Sequence, residues 1–346
     1  MDYSLLTQKP TKEQIDQFEQ RYPLSKRALR RLVISIVLFA VMALVFLSSG
    51  ITNLGPEAKG GIGIAIFCYS IVALFILGIV LTLAGSKRQR ERSTQIQLFA
   101  EKNNLTYTRY IENPAYAGMF FSIGRNRMLS DVIGSVSAHP PFEIGNLEYS
   151  QRAGRSEHTY FRGYVRIKLE RNLPQIVLDA TSNDLKLLGK NISTLPVDFA
   201  KSQRMSLEGD FDKHFSLYAP KEYERDALYI FTPDLMALLI DNASAFDAEI
   251  VDDQLFIYSS LMQFQLTNPA IMERLMSIVQ VVGKKATSQT DYYSDEKIGD
   301  RAQNTVAPGG KRLREGISVF AIIFVIVVVA SMVIPVILGA LGETQP

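Results

Sequence analysis

Tryptophan is absent, cysteine occurs once and histidine three times in the 346 residues. The lone Cys68 excludes an internal disulfide framework and any cysteine-rich metal site. His139, His158 and His214 are too scattered to suggest a histidine-based zinc site. No Gly-x-Gly-x-x-Gly, P-loop, His-Glu-x-x-His or Gly-x-Ser-x-Gly pattern occurs, so no catalytic residue, metal ligand or cofactor is expected from motifs. Basic excess is missing where a nucleic-acid binder would need it. Residues 93–310 hold 22 Lys+Arg against 27 Asp+Glu, a net charge of −5, and the rest of the chain carries +7. Phosphate neutralisation supplies most nucleic-acid affinity, so nucleic acid is not an expected partner.

What the chain does have is three long apolar runs. The first, 32–47, extends through Ser48-Ser49-Gly50 to a length that just crosses a hydrocarbon core of about 30 Å. The second covers 62–83 and the third 317–341. Inside lipid the backbone must satisfy its own hydrogen bonds, so each run is expected to be a transmembrane helix, the last kinked at Pro335. Lys26, Arg27, Arg30 and Arg31 precede the first run, Lys87, Arg88, Arg90 and Arg92 follow the second, and Lys311, Arg312 and Arg314 precede the third. Every basic cluster falls on one side of a three-span arrangement, the cytoplasmic side by the positive-inside rule. A multi-pass protein of the plasma membrane is expected, with its N-terminus and main domain cytoplasmic and its C-terminus external. A signal peptide is the rival reading of the first run, but 31 polar residues ahead of it are too many for an n-region.

This divides the chain into a cytoplasmic segment 1–31 with a short helix, spans at 32–50 and 62–85 around an external loop 51–61, and a domain at 86–283. A flexible tether 284–316, a span 317–341 and an external tail 342–346 follow. The spans carry no ionisable residue at mid-membrane, which favours anchors over a transport path.

In the N-terminal segment Thr11-Lys-Glu-Gln14 opens a short helix by a capping box, and at the start of the domain 94–103 has a helical apolar face. The period then changes to two. Segments 142–149 and 159–169 are expected as strands, the latter with Phe161, Val165, Ile167 and Leu169 inward and Tyr160, Arg162, Tyr164, Arg166 and Lys168 solvated. Further strands are expected at 175–180, 211–218 and 227–231, with a hairpin around Asp252-Asp253. Thr232 and Pro233 start one helix; Asn268-Pro269 starts another that Gly283 ends. Strands first and helices later argue an α+β domain on a mainly antiparallel sheet, beside three transmembrane helices.

Two constellations invite chemistry. On an extended 208–214, Glu208, Asp210, Asp212 and His214 would share one face and could serve a metal-dependent hydrolase. Same-face neighbours lie nearly 7 Å apart, so a solvated strand face is the plainer reading. The loop with Arg152, Gly154 and Arg155 could clamp an anion, though a hairpin tip has the same composition. Lys87, Arg88, Arg90, Arg92, Lys311, Arg312 and Arg314 are placed to touch anionic lipid headgroups, at about 1 kcal/mol per charge.

The succession Phe142-Glu-Ile-Gly-Asn-Leu-Glu-Tyr149, Leu207-Glu-Gly-Asp-Phe-Asp-Lys-His-Phe-Ser-Leu-Tyr218 and Phe231-Thr-Pro-Asp-Leu-Met236 resembles an uncharacterised family of bacterial membrane proteins. Glu222-Tyr-Glu-Arg-Asp-Ala-Leu-Tyr229 and Glu249-Ile-Val-Asp-Asp-Gln-Leu-Phe256 are similar to its actinobacterial-type branch. The resemblance implies two N-terminal spans, an α+β cytoplasmic region and a bacterial source, and the family has no assigned activity to carry over. The expected function is therefore a membrane-anchored protein-interaction or scaffold module. A sensor of anionic lipid headgroups or of a small ligand is the alternative, and a metal-dependent hydrolase a weaker one. Expected partners are the lipid bilayer and a protein.

Overall fold

The computed structural model describes residues 1–54, 61–154, 156–187, 190–207, 209–300 and 302–316. The expected third span 317–341 and the tail, with Arg155, Glu208 and most of the loop 51–61, lie outside the described residues. The chain forms two compact units, one of Met1–Tyr110 with Leu266–Pro269, the other of Ile111–Gln265 with the chain from Ala270 onward.

The first unit is helical. Helix α1 (Lys12–Arg21) has the expected capping box: the Gln14 amide donates to Thr11 Oγ1 at 3.3 Å, and the Thr11 amide to Gln14 Oε1 at 2.8 Å. Helices α2 (Lys26–Thr52) and α3 (Gly61–Lys102) pair as an antiparallel hairpin, with Phe39 and Phe46 against Phe75 and the Cys68 thiol donating to Ser49 Oγ at 3.7 Å. Among the described residues these two helices are long and apolar enough to cross a membrane. At 1.5 Å per residue α3 is about 63 Å long, so it runs well past any hydrocarbon core. Its last turns are amphipathic instead: Ile96, Phe99 and Ala100 are buried, Tyr3 stacks on Phe99 at 5.6 Å, and the Gln95 amide donates to the carbonyls of Leu6 and Gln8. Arg109, only 3% exposed, bonds the Tyr22 carbonyl, pairs with Glu19 at 3.1 Å and lies over the Phe18 ring.

The second unit is the α+β domain. Its strands are β1 (Thr106–Glu112, whose last two residues fall in this unit), β2 (Arg125–Ser135), β3 (Phe142–Ala153), β4 (Ser156–Ala180), β5 (Leu185–Leu187), β6 (Lys190–Ile192), β7 (Arg204–Met205), β8 (Phe215–Tyr218) and β9 (Asp247–Tyr258). A seven-stranded sheet has the order β1-β2-β3-β4-β8-β7, with β9 also paired to β4; β5 and β6 form a separate ribbon. The pairings of β2, β3, β4, β7, β8 and β9 are antiparallel. The helices are α4 (Met119–Ser122), α5 (Phe211–His214), α6 (Glu224–Ile230), α7 (Pro233–Ala243), α8 (Pro269–Ser277), α9 (Lys284–Thr290) and α10 (Pro308–Lys311).

Several expectations are corrected here. Segments 159–169 and 175–180 are one strand, β4, because a register shift between Lys168 and Ile176 absorbs Pro174, which has no N–H for the ladder. Opposite it, Asp252 at φ 52° bulges β9, so the expected hairpin at Asp252-Asp253 is an unbroken strand. The expected inward and solvated sets of β4 are also partly exchanged: Arg162 and Tyr164 are buried under Phe120 and Phe121, whereas Phe161 is 40% exposed. The expected strand 227–231 is helix α6, which buries Ala227 and Ile230 at helical spacing. Segment 211–218 is helix α5 followed by strand β8. Thr232 stands at the N-cap of α7, yet its hydroxyl has no hydrogen-bond partner among the described residues.

Gly283 does not end a helix. A π-helical turn (Ile278–Gly283) leads straight into α9, and a Cβ at Gly283 would come within 2.9 Å of Ile167 Cδ1, so glycine serves close approach to the sheet. Gly163 likewise leaves room for the Phe264 ring, 2.3 Å from where a Cβ would stand. The stretch 284–316, expected as a flexible tether, is stitched onto the domain. Tyr293 donates to Asp226 at 2.7 Å, Tyr223 donates to Asp295 at 2.7 Å, and the Leu313 amide donates to Gln175 at 2.8 Å. Asn172 and Asn304 bond each other through backbone and side chain.

Candidate functional site

In the first unit the candidate site is the surface of the hairpin. Leu38, Leu44, Ile62, Phe67, Leu74 and Leu81 are each more than half exposed, and none of the most apolar window of α2 is buried. A core helix of a water-soluble protein would have covered that face. Phe39 meets Gly78 and Ser49 meets Cys68, so each step back along α2 is a step forward along α3. Carried ten residues further, 26–31 come level with 87–92. The eight cations of those segments, with Glu91 as the single acid among them, form a band at one end of the apolar stretch. Lys87, Arg88 and Arg92 are exposed, and Arg90 is partly buried, its Nε without a hydrogen-bond partner among the described residues.

The other expected lipid contacts belong to the second unit and differ in kind. Arg312 makes a two-pronged ion pair with Asp252 at 3.0 and 3.1 Å, which occupies the fork a headgroup would need. Lys311 and Arg314 are exposed. The Arg314 backbone, not its guanidinium, is what the fold uses: its N–H donates to Gln203 Oε1 and its carbonyl accepts from Gln203 Nε2.

The suspected metal segment is not an extended face. Gly209 has φ 77°, α5 follows, and Asp212 accepts from the Leu207 amide and the Ser206 hydroxyl, so it fastens a turn. No group of three or more His, Cys, Asp or Glu among the described residues is placed to hold a metal ion. Arg152 is exposed at the tip of the β3–β4 hairpin.

Sequence reading missed three polar clusters inside the domain. Glu249 of β9 is fully buried and accepts from the Met119 amide at 2.7 Å, Gln175 Nε2 at 2.7 Å and the Tyr258 hydroxyl at 2.9 Å. Burial pushes its carboxyl up to about 7 although those three donors pull the other way. Glu143 accepts from the hydroxyls of Tyr116 at 2.9 Å and Tyr164 at 2.5 Å and pairs with Arg166 at 3.1 Å; burial and that carboxylate push Tyr116 up to about 12. Asp179, at the end of β4, accepts from Ser193 at 2.9 Å, and burial reinforced by Asp247 pushes it up to about 7. Asp247 accepts from the Ala180 amide and Asn183. These partners lie 9 to 130 positions apart, so only hydrophobic residues before and after each acid hinted at burial.

No family model matches the chain, and no curated protein matches it. The pairing that the family resemblance implied, two apolar helices near the N-terminus and an α+β domain, is present. Among solved structures the chain is similar to the crystal structure of the mycobacterial trehalose monomycolate transport factor A, TtfA. The likeness is 8% identity with a TM-score of 0.38, over 56% of this chain and 93% of that one, too slight to carry either fold or function across.

Proposed function

We propose that the protein is a membrane-anchored interaction module. The hairpin α2–α3 sits in the plasma membrane with its basic band on the cytoplasmic side, the run 317–341 adds a further span, and the sheet domain binds a protein partner from the cytoplasm. The observation that carries this reading is the hairpin surface: apolar faces left uncovered over a bilayer's thickness, ending in eight cations at one level. Cysteine labelling tests it in two copies of a Cys68→Ala protein. Asn53→Cys is expected to react with a membrane-impermeant maleimide on intact cells, and Ser4→Cys only after lysis. The opposite pattern, or release of the protein by alkaline carbonate, would refute the arrangement. In-cell cross-linking, with residues 1–92 alone as control, tests the module: one dominant partner absent from the control is expected.

A second reading, headgroup sensing, is favoured by the same band. Lys87, Arg88, Arg90 and Arg92 then act with Lys26, Arg27, Arg30 and Arg31, at about 1 kcal/mol for each charge near an anionic surface. Arg312 takes no part, since Asp252 holds its fork. Native mass spectrometry from mixed anionic and zwitterionic nanodiscs would show retained anionic lipid, lost when the four α3 cations become Gln.

A further inference from the structure

Beside the end of β4 the domain opens into a cleft of about 540 Å³, a size suited to a small ligand or to one side chain of a partner. Asp179 forms part of its wall and is itself only 7% exposed. One carboxylate oxygen accepts from Ser193, and the other has no hydrogen-bond donor among the described residues. Asp247, whose charge acts on Asp179, is fully buried, and its Oδ2 also lacks a partner among the described residues. The buried cation of this region, Arg162, is committed elsewhere. It donates to the carbonyls of Ser259 at 2.9 Å and Thr194 at 2.6 Å, and lies 3.9 Å from the centre of the Phe120 ring.

A desolvated carboxylate with no ion pair among the described residues is costly, and here one stands in the wall of an open cleft, with Arg204 acting on it only at a distance. The same wall holds two aromatic rings, Phe199 and Tyr218, 5.4 Å apart. Ring faces attract ammonium and guanidinium groups, most strongly where water is excluded. Asp198 and Glu315 add negative charge at the exposed edge against Lys201. The nearby Arg204 donates to Ser216 at 3.1 Å. With no group of metal-ligating residues assembled among the described residues, the cation that fits is organic.

We infer that this cleft receives a single guanidinium or ammonium group, with Asp179 as its charge partner and Phe199 and Tyr218 as its aromatic wall. The inference rests on the interaction-module reading only for the source of that group. An Arg or Lys side chain of a partner and a free amine share the chemistry.

Calorimetric titration of the full-length protein in detergent micelles separates the cases. Butylguanidinium is expected to bind saturably, and its neutral isostere butylurea about tenfold more weakly or worse. Asp179→Asn keeps the acceptor for Ser193 and removes the uncompensated charge. It is expected to weaken butylguanidinium at least about tenfold without lowering Tm. Tyr218→Leu, a second variant, is expected to weaken it about threefold to tenfold. Tighter binding of a capped Gly-Arg-Gly peptide than of butylguanidinium identifies a partner's side chain as the source; equal binding identifies a free amine. Absence of saturable binding by either, equal binding of butylurea, or undiminished binding to Asp179→Asn would overturn the inference. Because these titrations need no bilayer and no natural partner, a dead cleft on an anchored, partner-binding protein is told apart from failure of the module itself.

Discussion

Leu74 of the hairpin is 65% exposed, whereas Glu249 of the sheet domain is fully enclosed. Within one chain, an apolar side chain faces outward in one unit and a carboxylate faces inward in the other. The outward leucine would be an anomaly in water, and the inward carboxylate an anomaly without hydrogen-bond donors. On the arrangement proposed above the hairpin has hydrocarbon as its solvent, where an outward Leu costs nothing and the backbone is satisfied within each helix. The domain makes sense with water outside and hydrogen-bond donors inside: three donors meet Glu249, and three meet Glu143. The same physics, preference of each group for a matching solvent, produces opposite surfaces.

The largest effect expected on this contrast comes from the domain core. Phe121 packs against Tyr116, Tyr164 and Phe256, so Phe121→Ala should cost about 3–5 kcal/mol. Denaturant unfolding in micelles followed by tyrosine fluorescence reads this out, since there is no tryptophan. A cost under about 1 kcal/mol would mean that the aromatic cluster is not the core. Next is Leu74→Arg. In lipid it should raise the apparent insertion free energy by about 3 kcal/mol and deplete the carbonate-resistant fraction. On a water-facing helix the same change would leave stability and fractionation untouched.

The pH dependence sharpens the domain side. The buried carboxyl of Glu249 is raised from 4.5 to about 7, so folding favours its protonated form. That contribution is fully present below about pH 4.5 and is lost as pH rises through about 7, on the order of 2–3 kcal/mol. Asp179, raised from 3.8 to about 7, acts with the same sign. Glu249→Gln should therefore flatten the fall in stability between pH 5 and pH 8, measured by denaturation at each pH; an unchanged slope would place the titration elsewhere. Smallest is Arg312→Ala. Its pair with Asp252 is about half exposed, so the loss should stay within about 1 kcal/mol and shrink further in salt.

Local signals were legible wherever their partners are close in sequence. Thr11 and Gln14 cap each other three residues apart, and the period-two alternation of 159–169 marked a strand without revealing that Arg162 and Tyr164 are buried and Phe161 exposed. Strand β2 was hidden because Asn126 and Asp131 take positive φ and its pairing shifts register twice, which breaks the alternation. The stretch 284–316 has the composition of a linker, yet its Tyr293 and Asn304 bond Asp226 and Asn172, 67 and 132 positions away. Of the seven expected lipid contacts, Arg312 looks no different in sequence from its neighbours; only the bulge at Asp252 shows that it is already paired.

By itself the sequence determined where apolar length and basic charge lie along the chain, and hence two membrane-length helices ahead of an α+β domain. Those properties are additive over short windows, and hydrocarbon thickness and helix rise convert them directly into structure. Only the tertiary structure decided which carboxylates are buried and which cations are spoken for. It also decided that Asp179 meets a cleft beside Phe199 and Tyr218. Burial and pairing are set by residues far apart in sequence, and the free energy of a charge depends on what surrounds it in space.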